Sequence, residues 1–262
     1  MTSQLDRYIR SPEGVDGWLD RFSAQIIREL NDIQLAEGIT GSMGEIGVHH
    51  GRLFILLRLL RRHDEASVAV DVFENQHLNT DGSGRGDLEI FQANVERWSG
   101  KDKLIIIRKS SLDVQASELT ENAGTFRLFS VDGGHTEECA FSDLLLADAV
   151  LSAGGVAILD DFSNHHWPSV AAGAARFFLD GSTVARPFAT SPNKMYLAAP
   201  EYHHSYRSAL RRAHPARLYR TCTMFDHEVD IYEPAKRRPL HKIRLVRAVL
   251  KKARRVRTRL KV

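Results

Sequence analysis

The sequence predicts an α/β fold, a mostly parallel sheet with helices on both faces and a terminal antiparallel hairpin. Three observations predict it. Short apolar runs at 45–48, 67–73, 104–107, 126–131 and 155–159 have the length and continuous apolarity of strands buried on both faces. The gaps between them are long enough for crossover helices, with apolar helical stretches at 53–60 and 144–151. Residues 188–199 alternate around Ser191-Pro192-Asn193, the pattern of a hairpin that closes the sheet. Ahead of the first strand, Trp18, Phe22, Ile26, Ile27, Leu30 and Ile33 recur at helical spacing, so a helix is expected over 18–37.

Composition sets the outer limits. The chain has 262 residues, 43% hydrophobic and 26% charged, which suits one domain at 1–235 with an appendage at 236–262. No run of eighteen apolar residues occurs and residues 1–10 are polar, so a cytoplasmic protein is expected. Cys139 and Cys222 are too few and too far apart for a zinc site or a disulfide framework, and Cys139 is expected on a buried helix face. The appendage holds 13 Lys and Arg and no acid, leaving the first 235 residues with a net charge of −10.

The order of motifs is more informative. Glu45-Ile46-Gly47-Val48 leads through Gly51 into the apolar run 53–60, and Asp71 stands near the end of the next strand. Strand, glycine loop, helix, strand with a late acid is a β-α-β unit of Rossmann-like type. Its glycines let a ligand reach backbone amides at a helix N-terminus, and its acid can accept hydrogen bonds from a ribose. Glycine spacing alone is equally consistent with a tight turn, and Asp71 with a turn cap. The strand 126–131 then ends in Asp132-Gly133-Gly134-His135, and the strand 155–159 in Asp160-Asp161. In an open parallel sheet the carboxyl ends share one edge, so these acids are expected to face the crevice of the glycine loop.

Val131-Asp132-Gly133-Gly134-His135-Thr136-Glu137, the later Asp143, the segment 151–162 and Trp167-Pro168-Ser169-Val170, together with the loop 45–52, resemble class I S-adenosylmethionine-dependent methyltransferases. The resemblance spans about residues 40–180 and points to the group of metal-dependent sugar O-methyltransferases that includes macrocin O-methyltransferase. It implies that Glu45, Gly47 and Gly51 shape the methionine side of an S-adenosylmethionine pocket and that Asp71 holds the ribose. It also implies that Asp132, Asp160 and Asp161 bind Mg²⁺ or another divalent cation and that His135 is the general base. No further acidic ligand can be placed from the sequence.

These residue types suit the chemistry. Methyl transfer to a hydroxyl needs alignment of donor and acceptor and removal of the acceptor's proton. A hard cation on carboxylate oxygens can orient two neighbouring hydroxyls while an imidazole takes the proton. The plainer accounts are that Asp132, Asp160 and Asp161 serve turns and helix caps and that His135 is a surface histidine. His49 and His50 read as pocket lining, His165 and His166 as loop or substrate-contact residues, and Trp98 and Trp167 as packing residues. The polar stretch 75–87 reads either as a lid or as a surface loop. Among substrates, a sugar or glycan leads and a phenolic or catechol acceptor follows. An NAD-dependent oxidoreductase is disfavoured by the Glu45–Gly51 spacing and by the Asp160-Asp161 pair. Nucleic-acid methylation is disfavoured by the absence of an Asn/Asp-Pro-Pro-aromatic motif.

In the appendage, Leu240, Ile243, Val246, Leu250, Ala253, Val256 and Leu260 recur every three or four residues among basic side chains. A basic amphipathic helix of this kind can rest on an anionic membrane surface at the inner face; the alternatives are a solvated tail or a helix packed on the acidic body of this or another chain. It lacks the aromatic residues that stack on nucleic-acid bases.

Overall fold

A computed structural model describes residues 3–235. The basic tail at 236–262, with its expected amphipathic helix and membrane contact, lies outside the described residues. Nine strands, β1 (Ser42–Ile46), β2 (Ser67–Val70), β3 (Leu104–Ile107), β4 (Phe126–Val131), β5 (Leu151–Leu159), β6 (Arg186–Ser191), β7 (Lys194–Ala198), β8 (Leu218–Met224) and β9 (His227–Tyr232), build one sheet. Its order is β3-β2-β1-β4-β5-β7-β6-β9-β8. The first five strands are mutually parallel, and β7 enters antiparallel to β5.

The helices are α1 (Gln4–Arg10), α2 (Arg21–Ala36), α3 (Arg52–Leu60), α4 (Leu88–Ser99), α5 (Ala116–Ala123), α6 (Glu137–Val150), α7 (Pro168–Leu179) and α8 (His203–Ala213). Strand side chains alternate between two cores. Met43, Ala69, Leu128, Val156 and Ile158 face the core shared with α1–α4 and α8. Val68, Val70, Phe129, Val131, Ala157 and Leu159 face the one shared with α5–α7. Burial on both faces explains why the central strands read as unbroken apolar runs rather than alternating ones.

Several boundaries differ from the sequence expectation, each for a local reason. The helix expected over 18–37 is α2, and it starts at Arg21 because the Asp20 carboxylate accepts from the amides of Phe22 and Ser23, both at 2.9 Å. Trp18 therefore stands outside the helix and is 74% exposed. The first strand is 42–46 rather than 45–48, since positive φ angles at Gly47 and His49 end it. The second ends at Val70, one residue before Asp71. The hairpin forms as expected, but β9 pairs in parallel with β6 and β8 follows as the outer strand, so the sheet does not close there. No helix among the described residues is long and apolar enough to cross a membrane.

A buried ionic knot ties this scaffold together beneath the sheet. Arg127 on β4 is fully buried and donates to both oxygens of Glu65 at 2.8 and 2.9 Å, to Asn31 and Gln34 on α2, and to the carbonyl of Leu60.

Candidate active site

The site forms where the parallel ladder runs one rung past its strands. Gly47 N donates to Val70 O, Asp132 N to Ile46 O, Asp160 N to Val131 O and Asp71 N to Ile107 O, at 2.8 to 3.2 Å. These bonds set Asp71, Gly47, Asp132 and Asp160 side by side along the carboxyl edge, at the strand spacing of about 4.8 Å. A cavity of about 370 Å³ opens there, within the range of small-molecule sites.

Gly47, Asp71, Asp132, His135, Asp160 and Asp161 line this cavity. Gly47 has φ +80°, and a Cβ there would overlap the Asp132 carbonyl, so only glycine lets β1 and β4 meet at this edge. Gly51, φ +91°, starts α3 behind the lining, where a side chain would press on Phe91. Glu45 likewise lies behind the lining, buried, with Oε2 unpartnered, and burial pushes its carboxyl well above the usual range. The structure thus places four of the expected acids and His135 around one space, with Glu45 beneath it.

Asp71 performs the plain task open to it and keeps acceptor capacity for the other. Its oxygens accept from His49 N at 2.8 Å and Phe73 N at 2.7 Å, which fixes the glycine loop, and each oxygen keeps a further lone pair. Across the cavity, Lys109, Ser110 and Ser111 after β3 supply a polar wall that the sequence reading did not pick out. Gly loop, acid and polar wall give the donors and acceptors that a nucleoside joined to an amino acid would need. Asp71→Ala is expected to weaken S-adenosylhomocysteine binding by about tenfold, the loss of roughly one charge-assisted hydrogen-bond pair, as read by calorimetry.

His135 sits between two carboxylates. Its Nε2 lies 2.8 Å from Asp161 Oδ2 and its Nδ1 lies 2.9 Å from Asp81 Oδ2 and 3.0 Å from Ser83 Oγ. The ring stacks on Trp167 at 4.3 Å. Burial works against the imidazolium, but Asp161 and Asp81 outweigh it and raise its pKa. Asp161, against its own burial, is drawn down to about 2 by His135, Asn164 and Asn193. The 75–87 loop therefore acts as a wall of the site: Asp81 also accepts the backbone amide of His135. Thr136 caps α6 by accepting from Cys139 N, and Cys139 is buried on that helix as expected.

Asp132, His135 and Asp161 each offer a ligand atom within 4.8 Å of the others, so oxygen and imidazole donors suited to a divalent cation are present. Asp160 is engaged elsewhere. Its Oδ2 pairs with Lys194 Nζ, and its Oδ1 accepts from Asp161 N at 2.9 Å and Asn193 Nδ2 at 3.4 Å. Burial opposes the Lys194 ammonium, but Asp160 and Asp132 together hold its pKa above the ordinary range.

Of the other aromatic candidates, His49 and Trp167 line the cavity, and Trp18 stands at its rim with its ring 5.5 Å from that of His49. Trp98 is a packing residue against Tyr8. His165 and His166 stack on each other in an exposed loop outside the lining.

Residues 45–162 match the family described as a methyltransferase domain. The matched segment is a methyltransferase domain. The chain matches no functionally curated protein by sequence. Its fold is shared with solved methyltransferase structures. The O-methyltransferase NovP is 17% identical with a TM-score of 0.57, over 68% of this chain and 80% of that one. The calicheamicin methyltransferase CalS11 is 16% identical with a TM-score of 0.51, over 74% and 90%. MycE, from the mycinamycin pathway and solved with Mg, SAH and mycinamycin VI, is 14% identical with a TM-score of 0.50, over 75% and 54%.

The sequence reading missed Asp81, Ser83, Asn193 and Lys194. Asp81 and Ser83 lie in a polar glycine-rich stretch, and only the fold returns that stretch to His135. Lys194 follows a hairpin turn, where lysine is ordinarily solvated, yet it is 3% exposed.

One buried carboxyl gives a pH signature. Asp143 on α6 lies behind Gly133, and burial pushes it up to about 7. Its folded pKa exceeds the unfolded one, so the folded state holds the proton more tightly. Stability is then lost as pH rises from about 4 to about 7, by up to about 4 kcal/mol. Asp143→Asn should gain on the wild type across that window, as measured by denaturant unfolding at several pH values. Parallel curves would show that Asp143 is ionised and paired in the fold.

Proposed function

We propose that this methyltransferase transfers a methyl group from S-adenosylmethionine to a sugar or glycan hydroxyl, with a divalent cation such as Mg²⁺ assisting. The observation that carries the reading is the placement of His135, Asp132 and Asp161 beside the Gly47 loop, on the edge where donor and acceptor meet. The sugar class rests on the motif resemblance and is in keeping with the MycE complex, whose solved form holds Mg, SAH and mycinamycin VI.

The donor, when bound, supplies an electrophilic methyl on a sulfonium, which loses its charge in the transfer. The Gly47 loop would face its methionine end, with Gly51 shaping the turn behind it, and Asp71 would accept from its ribose hydroxyls. A cation held by Asp132 and Asp161 would lower the pKa of an acceptor hydroxyl and align it. His135 takes the acceptor's proton at Nε2, while Asp81 fixes the ring through Nδ1. In the geometry described, both ring nitrogens face carboxylate oxygens, an arrangement of the protonated ring. Nε2 becomes a base once Asp161 Oδ2 turns from it.

The test is incubation with labelled S-adenosylmethionine and a panel of glycans, glycolipids and catechols, with and without Mg²⁺. Label on a glycan or glycolipid that depends on Mg²⁺ is the expected result. Label on catechols alone would replace the sugar reading with the phenolic one, and full activity after chelation would remove the cation.

A further inference from the structure

Lys194 has no part in the chemistry above, yet it is the best-buried ammonium near the site. It opens β7, is 3% exposed, and points its Nζ into the layer beneath the cavity, where Glu45, Asp132 and Asp160 crowd together. An ion pair this deep is costly to desolvate and persists when its geometry is satisfied. Here it is, because Asp160 gives one oxygen to the ammonium and the other to Asp161 N and Asn193 Nδ2. The sequence motif offers three aspartates to a cation, but only Asp132 and Asp161, with His135, stand within mutual ligand distance.

Resting on the cation-assisted reading, we infer that Lys194 is a resident counter-cation that takes Asp160 out of the ligand set and weakens divalent binding. A fixed positive charge behind the carboxylates repels a second cation through a medium that screens poorly. The cation is then held by two carboxylates rather than three, and the acceptor's own hydroxyls complete its shell.

The test is Mn²⁺ titration of the full chain saturated with S-adenosylhomocysteine, reading free Mn²⁺ by electron paramagnetic resonance. K194Q should bind Mn²⁺ about tenfold or more tightly than wild type, and D161N about tenfold or more weakly. The double variant K194Q/D160N removes both charges while keeping an amide pair of similar shape, so it folds where K194Q alone leaves uncompensated acids. It should bind within about threefold of wild type. Double-variant binding as weak as that of D161N would make Asp160 a ligand and overturn the inference, leaving the cation reading intact. Failure of both wild type and K194Q to bind Mn²⁺ would defeat the two together.

Discussion

His135→Ala should lose about a hundredfold or more in kcat while S-adenosylhomocysteine affinity stays within about twofold, the ordinary scale for removal of a general base. The imidazole's hydrogen bonds go to Ser83, Asp81 and Asp161 and none to the Gly47 loop, so donor binding has little reason to change. Asp81→Asn should give a smaller loss of kcat, because it removes the charge that holds and orients Nδ1 and leaves the base itself. Single-turnover assays with a saturating acceptor, alongside calorimetry, separate the two quantities. Normal turnover by His135→Ala would move the proton to another group or to water. A parallel loss of donor affinity would make the residue a binding element instead.

The different visibility of these residues in the sequence has a physical basis. Strands buried on both faces announce themselves as apolar runs, and the ends of those runs carry Asp71, Asp132 and Asp160 into one row through the parallel ladder. That part of the site needs only strand order to be assembled. Asp81, Ser83 and Lys194 arrive by a loop and a hairpin whose return paths depend on side-chain closure. Their composition looks like that of any solvated turn. Trp18 was misplaced because its spacing fits the helix that follows, while the Asp20 cap decides where that helix starts. The stretch 202–233 hid α8, β8 and β9 because β8 is an outer strand. Its exposed residues, Tyr219 among them, mask the alternation that a half-buried strand would show.

Arg127→Met should destabilise the fold by about 3–5 kcal/mol, the cost of stripping a buried carboxylate of its buried partner and leaving it only the half-buried Arg62, 3.1 Å away. Glu65 is 5% exposed and receives two of the guanidinium's hydrogen bonds, so its charge has no solvent to retreat to. Asn31, Gln34 and the Leu60 carbonyl lose their donors in the same step. Adding Glu65→Gln to Arg127→Met should recover a substantial part of the loss, since the double variant buries a neutral amide instead of a charge with Arg62 as its remaining ionic partner. Urea unfolding of the two single variants and the double closes the cycle. If Arg127→Met cost under 1 kcal/mol, the knot would be solvated in the protein rather than sealed. The consequence reaches the site because β4 carries Arg127 near its start and delivers Asp132 at its end, so loosening the strand shifts the acid row. The single variant should therefore lose turnover at temperatures below its own unfolding midpoint, while the double holds activity closer to wild type.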